Sequence, residues 1–524
     1  MNTSTSGRMK AVLFALVLVM ATATSAGKVL ALENYEVEWK KSFGGGYTDS
    51  FRGITIAGDG GYVAVGSSRS TDQDMSGLHK VAANNDNDAT IVKYSRTGDV
   101  EWKKTFGGNS HESFSDVTTT GDGGYVAVGA SSSTDQDMAG LSKVGSDAII
   151  VKYDAEGEVE WKKSFGGVNG DSFDSVIVVN DGGYIAVGNS SSGSDDMLGL
   201  KKGGITDAII VKYDVDGEVE WKKSFGGNGD QDGYVGAVAT DDGGCVAIGT
   251  FNSSDQDMAG ISKGGLDAVI VKYSSHGDIE WKNSFGGSSM DSFGGIVVTE
   301  DGGYVVAGGS NSTDQDLTGL NKGGHDAIIV KYDAEGEVEW KKSFGGGNTD
   351  YFYGIVVDGG GGFAAVGTSA SADQDMTGLH KIQVNSNEDA IIVKYLDMSE
   401  PVGTVTSDAE GTGCFIVTVT LKTNVPIETP GGWVKANSRT FTKAYSENTS
   451  EEVALVGLNG LNGTALVVVD SIVCSPEEQP KPPASKSNPK SPDTGIGLVL
   501  GWVTLGEMLF VVVGLAVFFR MRKA

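Results

Sequence analysis

The sequence predicts an all-β protein dominated by a six-bladed β-propeller with four-stranded blades. The tripeptide Glu-Trp-Lys occurs six times, and its tryptophans follow one another at intervals of 59 to 63 residues: Trp39, Trp102, Trp161, Trp221, Trp281 and Trp340. Each unit holds four short segments rich in Val, Ile, Tyr and Phe, with no helical period. No proline precedes Pro401, which suits uninterrupted sheets. Four strands repeated at this interval are typical of a propeller.

Composition excludes several classes of protein. The 524 residues carry 40 Lys and Arg against 69 Asp and Glu, a net charge of −29. Nucleic-acid partners are therefore not expected, because proteins that bind phosphate backbones have basic surfaces. The 21% of charged residues and 39% of hydrophobic residues exclude a disordered polyelectrolyte. Three cysteines exclude a disulfide-dense scaffold.

The unit at 158–217 predicts the order of strands within a blade. Its segments read EVEWKKSFGG, DSFDSVIVV, GYIAVGNSS and DAIIVKYD. We expect the segment before the Asp-Gly-Gly turn to be innermost, followed by YIAVG, AIIVKY and, outermost, VEWKK. The strand at 37–43 would then complete the last blade, whose other strands lie within 352–396, and close the ring. Six complete blades without this exchange are the alternative.

The pattern W-K-x-x-F-G-G, D-G-G-Y and D-x-x-I-V-K-Y resembles the blades of bacterial secreted propellers. The resemblance covers 36–397 and implies a propeller domain there. Tight turns such as Asp181–Gly183 would lie at one end of the strands and long loops at the other. Binding usually resides in long loops on a rigid scaffold, so we expect the long-loop end to be functional. The lysine of each Lys-Tyr pair, such as Lys152, is expected to expose its amine.

The long loop inside each blade carries an acidic pair followed by a glycine. The candidate metal ligands are Asp72, Asp74, Asp135, Asp137, Asp255, Asp257, Asp314, Asp316, Asp373 and Asp375. D-x-D-x-x-G matches three positions of a calcium loop, but no glutamate follows at the twelfth position, so an EF-hand is excluded. A looser Ca²⁺ site completed by carbonyls, or by Asp49, Asp171 and Asp291, is one interpretation. An Asx-turn that caps the loop through its own N–H groups is the other.

No catalytic residues are predicted. The five histidines, His79, His111, His276, His325 and His380, fall at different positions in the repeat and form no metal-binding pair. No G-x-S-x-G elbow is present. Near-identical blades favour a binding or adhesion platform over one asymmetric catalytic centre. A polysaccharide-active propeller enzyme and a purely structural surface spacer are the alternatives.

Residues 401–474 predict a second, smaller β domain. The run VTVTLKTNVPIETPGGWVK resembles bacterial immunoglobulin-like modules of surface proteins, which implies a small β-sandwich that serves as a stalk. Cys414 and Cys474 lie near its two ends. An oxidising exterior would permit a disulfide between them.

The two ends of the chain resemble targeting signals. Residues 1–26 have the basic start, apolar run and small residues of a secretory signal peptide. Residues 475–490 form a proline-rich spacer. Within 491–524, the apolar segment 496–519 is long enough to lie in the membrane before processing, and a basic tail follows it. A single-pass membrane anchor is the simpler alternative.

Ser491, Pro492, Asp493, Thr494 and Gly495 spell SPDTG, which resembles the LPxTG-type sorting signals of Gram-positive surface proteins. The resemblance implies that a sortase cleaves after Thr494 and joins it to peptidoglycan. Serine in place of leucine leaves the sortase class undetermined. The whole sequence thus predicts an exported, wall-anchored protein whose propeller binds an extracellular protein or glycan.

Overall fold

The protein is described here by a computed structural model. The structure describes residues 39–78, 86–357, 362–378, 388–395, 403–410, 416–423, 430, 433–437, 440–445, 449–456 and 462–469. Within these ranges the chain forms antiparallel strands and six one-turn 3₁₀ helices, and it contains no α-helix. The prediction of an all-β protein is therefore confirmed.

The chain divides into two compact units, and the first comprises Met1–Phe225 with Asp241–Gly243. Its first sheet contains β1 (Asp49–Ile56), β2 (Tyr62–Ser68), β3 (Asp88–Tyr94) and β4 (Val100–Phe106). Its second sheet contains β5 (Glu112–Thr119), β6 (Tyr125–Ser131), β7 (Asp147–Tyr153) and β8 (Val159–Phe165). Its third sheet contains β9 (Asp171–Val178), β10 (Tyr184–Ser190), β11 (Asp207–Tyr213) and β12 (Val219–Phe225).

The second unit comprises Gly226–Thr240 and Gly244–Ala524. Its first sheet, the fourth of the repeat, contains β13 (Asp232–Ala239), β14 (Cys245–Phe251), β15 (Asp267–Tyr273) and β16 (Ile279–Phe285). The fifth contains β17 (Asp291–Val298), β18 (Tyr304–Ser310), β19 (Asp326–Tyr332) and β20 (Val338–Phe344). The sixth contains β21 (Asp350–Val357), β22 (Phe363–Ser369) and β23 (Asp389–Tyr395).

Strands follow one another across each sheet in chain order, as the repeat pattern predicts. In the third sheet, Val187 of β10 lies opposite Ser175 of β9 and Ile210 of β11, and Ile210 in turn lies opposite Lys223 of β12. Since neighbouring strands are antiparallel, the Asp-Gly-Gly and Glu-Gly-Glu turns share one end of the sheet, here called the turn end. The long loops share the other end, here called the loop end.

The core of the first unit lies between successive sheets. Val126 and Val128 of β6 pack against Phe173 of β9 and Tyr213 of β11, and all four side chains are buried. The rings of Phe173 and Tyr213 meet edge to face at 6.3 Å. Each such side chain contributes roughly 1.5–3 kcal/mol when it leaves water. The repeated apolar faces therefore stabilise the stacking of one sheet on the next.

The second strand of each repeat sheet contains a glycine, and this glycine permits a bulge in the first strand beside it. The register of β9 against β10 shifts between Val187 and Gly188. A Cβ atom at Gly188 would lie 2.1 Å from the carbonyl oxygen of Ser172. Only glycine fits there, since that distance is far below van der Waals contact.

The sixth sheet shows three strands in the described part of the chain. Residues 39–43, the described part of the predicted closing strand 37–43, form no strand. The predicted exchange of the N-terminal strand is therefore not seen, although repeated four-stranded antiparallel sheets are. The count of six closed blades stays a prediction.

Residues after 402 form two further antiparallel sheets in the second unit. One has the order β24 (Gly403–Glu410), β25 (Ile416–Thr423), β27 (Thr440–Tyr445) and β26 (Val434–Asn437). The other pairs β28 (Thr449–Val456) with β29 (Asn462–Val469). These strands agree with the β character expected of 401–474, and the immunoglobulin-like topology stays a prediction.

The predicted signals lie outside the described residues: the signal peptide 1–26, the spacer 475–490, the sorting residues Ser491, Pro492, Asp493, Thr494 and Gly495, and the apolar segment 496–519. Cys414 and Cys474 lie outside them too, so their pairing is untested. Cys245 is buried. In the described part of the chain, no helix has the length and apolarity needed to span a bilayer.

Candidate functional site

The acidic pair of the first long loop binds the glycine loop that precedes β1. The N–H of Gly46 donates to Asp72 Oδ1 at 2.7 Å, and the N–H of Gly44 donates to Asp74 Oδ2 at 3.1 Å. The N–H of Asp74 donates back to the Gly44 carbonyl at 3.2 Å. Both carboxylates therefore hold two loops of the loop end together.

The same arrangement recurs in the other repeats. The first aspartate accepts an N–H and the second aspartate accepts the N–H of a glycine: Asp135 from Asn109 and Asp137 from Gly107, Asp255 from Asn228 and Asp257 from Gly226, Asp314 from Ser288 and Asp316 from Gly286, Asp373 from Gly347 and Asp375 from Gly345. In the third repeat, which lacks the D-x-D spacing, Ser194 takes the first position and Asp196 the second.

A lysine of the preceding loop neutralises the second aspartate in three repeats. Lys322 Nζ lies 2.5 Å from Asp375 Oδ2. Lys143 and Lys263 pair in the same way with Asp196 and Asp316. The long loops of neighbouring repeats are thus joined by charged hydrogen bonds, which are stronger than neutral ones.

These contacts decide between the two interpretations of the acidic pairs only in part. The first aspartate does not cap its own 3₁₀ turn through its side chain, so the Asx-turn interpretation is wrong in that detail. The carboxylates instead bind backbone N–H groups of another loop. Among the described residues, no group of three or more His, Cys, Asp or Glu side chains is arranged for a metal. A looser Ca²⁺ site completed by backbone carbonyls is not tested by this observation.

A left-handed residue separates the two acidic positions in every repeat. Gln73, Gln136, Asp195, Gln256, Gln315 and Gln374 have φ between 49° and 53°. This conformation costs about 1–2 kcal/mol for a residue with a Cβ atom. The N–H bonds to the flanking aspartates offset that cost and fix the loop.

A third carboxylate, at the start of the first strand, binds the glycine loop that precedes that strand. Asp171, at the start of β9, is buried and accepts the N–H of Gly167 at 2.8 Å and the hydroxyl of Ser192 at 2.8 Å. Ser190 donates to its other oxygen. Asp49, Asp291 and Asp350 have equivalent glycine and serine partners. The aspartates considered as further Ca²⁺ ligands are therefore already bonded within the protein.

The turn end carries a buried ion cluster that sequence reasoning missed. Lys152 Nζ lies 2.9 Å from Asp122 Oδ2 and 2.7 Å from Glu160 Oε2, and its side chain is 2% exposed. Burial lowers the pKa of Lys152, but hydrogen bonds to Glu160 and Asp122 outweigh burial and raise it. The prediction that this amine is exposed is wrong, because the two carboxylates compensate its burial.

Other repeats contain the same cluster. The lysine pairs with an aspartate from the Asp-Gly-Gly turn, a glutamate from the strand that follows, or both: Lys93 with Asp59 and Glu101, Lys212 with Asp181 and Glu220, Lys272 with Glu280, Lys331 with Asp301 and Glu339. The spacing K-Y-x₆-E could have signalled the pair, since antiparallel strands joined by a tight turn bring such residues side by side.

A cleft of about 470 Å³ lies between the second and third sheets at the turn end. Its walls include Asp122, Lys152, Glu160, Trp161, Tyr184 and Asp216. Trp161 reaches across from β8, and its Nε1 donates to the carbonyl of Val215 at 3.1 Å. Loop length predicts a functional surface at the loop end, so the cleft at the turn end is not among the sites predicted from the sequence.

Several carboxylates on the first strands of the sheets have raised pKa values, among them Glu112, Asp116 and Asp174. Asp116 accepts the hydroxyl of Ser175 at 2.9 Å and the N–H of Val176 at 3.0 Å, and burial raises its pKa. Burial raises the pKa of Asp174 to about 6, although Asn189 and Arg52 act in the opposite direction. Neither Asp116 nor Asp174 lines the turn-end cleft.

No protein-family model matches the chain. The regulatory protein FlaEY of Caulobacter vibrioides is 26% identical over 174 residues, which cover 31% of this chain and 18% of FlaEY. This chain thus spans less than a fifth of that relative.

Two solved structures with similarity to the chain are the WD40 domain of Pan2 from Neurospora crassa and Sqt1 from Chaetomium thermophilum. The Pan2 domain is 11% identical, with 76% of this chain and 90% of that chain covered, at a TM-score of 0.33. Sqt1 is 9% identical, with 81% and 94% covered, at a TM-score of 0.33. At these values the similarities carry no argument about activity or partners.

We predict that replacing Asp174 by Asn stabilises the protein at neutral pH. Because the folded-state pKa of about 6 exceeds the ordinary 3.8, protonated Asp174 stabilises the fold fully below about pH 4, and this stabilisation is lost as the pH rises to about 6. The free energy of unfolding of Asp174→Asn should therefore exceed that of wild type by about 1–3 kcal/mol at pH 7.5 and equal it at pH 4. Urea unfolding at both values checks this, with exposed Glu156→Gln as control. An equal gain at both pH values would contradict it.

We also predict that Ca²⁺ leaves the melting temperature unchanged. The oxygens of the acidic pairs accept N–H and ammonium hydrogen bonds, which a cation would have to displace. The check is thermal unfolding with Ca²⁺, with Mg²⁺ and with a chelator. A rise specific to Ca²⁺ and absent in Asp314→Asn/Asp316→Asn would establish the calcium interpretation instead.

Proposed function

We propose that this chain is a cell-wall-anchored surface protein that displays a six-bladed propeller as a binding or adhesion platform for an extracellular protein or glycan. The observation that supports it most is the repetition itself. The first five sheets share one strand order and a turn-end ion pair or cluster, and the long loops of all six repeats share one pattern of contacts. Such a scaffold offers the same surface several times, which favours multivalent binding over a single reaction centre.

Closure of the ring is supported by exposed apolar positions in the first sheet. Ile54 of β1 is 67% exposed, whereas Val117, at the same position of β5, is 4% exposed. Phe51 is exposed too, and its counterpart Phe114 is buried. Exposed side chains of this size cost roughly 1.5–3 kcal/mol each relative to burial.

The sixth sheet shows the complementary feature. Ile392 of β23 is 74% exposed, whereas its counterpart Ile329 of β19 is fully buried beside a fourth strand. We infer that residues 39–43 supply that strand.

Contacts of Trp39 support this assignment. Its Nε1 donates to the carbonyl of Arg96 at 3.1 Å, as Trp102 of β4 donates to Ala155 in the second sheet. The segment at 39–43 thus meets the first sheet as an outer strand meets the sheet that follows it.

We predict that cysteines at positions 41 and 392 form an intramolecular disulfide. The register of β19 and β20, in which Ile329 faces Lys342, transfers to Ile392 and Lys41. Lys41→Cys/Ile392→Cys should cross-link within one molecule under mild oxidation, as judged by mass and non-reducing electrophoresis. Lys40→Cys/Ile392→Cys is the control, because a slip of one residue turns the side chain to the other face. Cross-linked dimers in place of monomers would show that a second copy covers these sheets.

Wall anchoring is proposed from the sequence at the C-terminal end. The strands after 402 would act as a stalk, and the proline-rich residues 475–490 as an extended spacer. A sortase would cleave after Thr494 and transfer it to peptidoglycan. The apolar segment 496–519 would hold the chain in the membrane until that step.

We predict that Thr494→Ala abolishes covalent attachment to the wall. Cell fractionation should find the variant in the membrane, where the apolar segment retains it, and no longer in the muramidase-released fraction. Ser487→Ala in the spacer is the matched control and should stay in the wall. Unchanged wall attachment of Thr494→Ala would contradict the assignment of SPDTG as a sorting signal.

A further inference from the structure

We propose that the turn-end clefts bind lysine-rich peptide segments of a partner protein. The turn-end cleft is the space between two successive sheets that is walled by the buried lysine, its two carboxylates, the tryptophan of the outer strand and an acidic residue of the next sheet. This proposal goes beyond the display function, which placed binding in the long loops, and it does not depend on wall anchoring.

The charges of the cleft between the second and third sheets favour a cation. Asp122, Glu160 and Asp216 supply three carboxylates, and Lys152 supplies one ammonium. The side chains of Asp122 and Glu160 are 60% and 46% exposed, so a ligand reaches them although each already contacts Lys152. The cleft therefore has two uncompensated negative charges.

Lys152 itself shows that the site accommodates a primary ammonium. Its Nζ donates to Glu160 at 2.7 Å while its side chain is almost wholly buried. A second ammonium group, supplied by a ligand, would find acceptors of the same kind in Glu160, Asp122 and Asp216. Ion pairs of this kind gain strength where a cavity wall excludes water.

Aromatic rings form a further part of the lining. Trp161 and Tyr184 line the cleft, with ring centroids 5.9 Å apart. The aliphatic stem of a lysine packs on such rings while its ammonium stays in the polar part of the cleft. A long cationic side chain therefore matches both the carboxylates and the rings, whereas an inorganic cation would contact only the carboxylates.

The constellation recurs in the first unit between the first and second sheets. Lys93 lies 2.6 Å from Asp59 and 2.7 Å from Glu101. The rings of Trp102 and Tyr125 lie 5.9 Å apart, and Trp102 Nε1 donates to the carbonyl of Ala155 at 3.0 Å. Glu156 corresponds to Asp216 of the next repeat.

The second unit repeats it again. Lys272 pairs with Glu280 at 3.0 Å, the rings of Trp281 and Tyr304 lie 6.0 Å apart, and Trp281 Nε1 donates to the Ala334 carbonyl. Glu335 follows Ala334 and so corresponds to Asp216. Several weak sites on one scaffold would together hold a peptide that engages more than one of them.

At the loop end, the acidic pairs of the described residues are already bonded within the protein. Its aspartates accept backbone N–H groups or pair with loop lysines, as at Asp314, Asp316 and Asp375. A neutral glycan would gain little from the surplus charge at the turn end. Charge therefore favours a basic segment over a sugar as the occupant of the clefts.

Tetralysine binding to the purified full-length chain in a nonionic detergent tests the proposal. The variant Glu156→Gln/Asp216→Asn/Glu335→Gln removes one carboxylate from each of three clefts and alters only exposed side chains. Its matched control, Asp408→Asn/Glu451→Gln/Glu452→Gln, removes the same net charge from the strands after 402. Isothermal titration at about 50 mM and about 300 mM salt covers the range in which screening is strong.

We expect the cleft variant to bind tetralysine about tenfold more weakly at low salt, with the control within about twofold of wild type. Equal weakening of both variants would show a general effect of net charge and overturn the site. Unchanged binding by the cleft variant, or binding of a neutral oligosaccharide but not of tetralysine, would overturn it too. Melting temperatures of both variants exclude unfolding as the cause. Because wall attachment and ring closure have separate readouts, their failure would leave this result standing.

Discussion

The fold depends on the hydrogen bonds between carboxylates and the glycine loops that lead from one sheet into the next. In the repeat around Asp49, Gly45 donates to that buried aspartate, while Gly44 and Gly46 donate to the acidic pair of the long loop. These bonds give the backbone N–H groups partners and join the glycine loop to the long loop of the same repeat. Glycine is required because a Cβ atom at Gly44 would lie 2.2 Å from an Asp49 oxygen.

This constraint divides the acidic charge into two populations. At the loop end, carboxylates are bound by N–H groups, as when the N–H of Ser288 lowers the pKa of Asp314. At the turn end, Asp122 and Glu160 share a single lysine and keep much of their surface in water. The acidic pairs that stand out in the sequence therefore bind the protein's own backbone, whereas the less conspicuous turn-end acids line the cleft.

Strand order and strand ends could be predicted because they depend on local patterns. Segments such as DAIIVKY are bounded by turns and too short for any other element, so periodicity sufficed. The contacts of Asp72 with Gly46 and of Lys152 with Asp122 could not be predicted, because the partners lie 26 and 30 residues away and meet only once the strands of a sheet are paired. The exposed amine assigned to Lys152 failed for that reason: alternation within a strand does not reveal a carboxylate on a neighbouring turn. The terminal signals were read from motifs alone, and no contact among the described residues bears on them.

Repetition changes what a weak site can do. One ammonium in one partly exposed cleft gains little free energy, since exposed ion pairs contribute about 0.2–1 kcal/mol. Linked ammonium groups on one peptide turn each later contact into an intramolecular step, with an effective concentration in the millimolar range. The buried lysines hold the carboxylates of each cleft in place, so little ordering is needed when a ligand arrives. A rigid repeat with near-identical turn ends is thus suited to recognising a charged chain by its spacing, a task for which one deep pocket would serve less well.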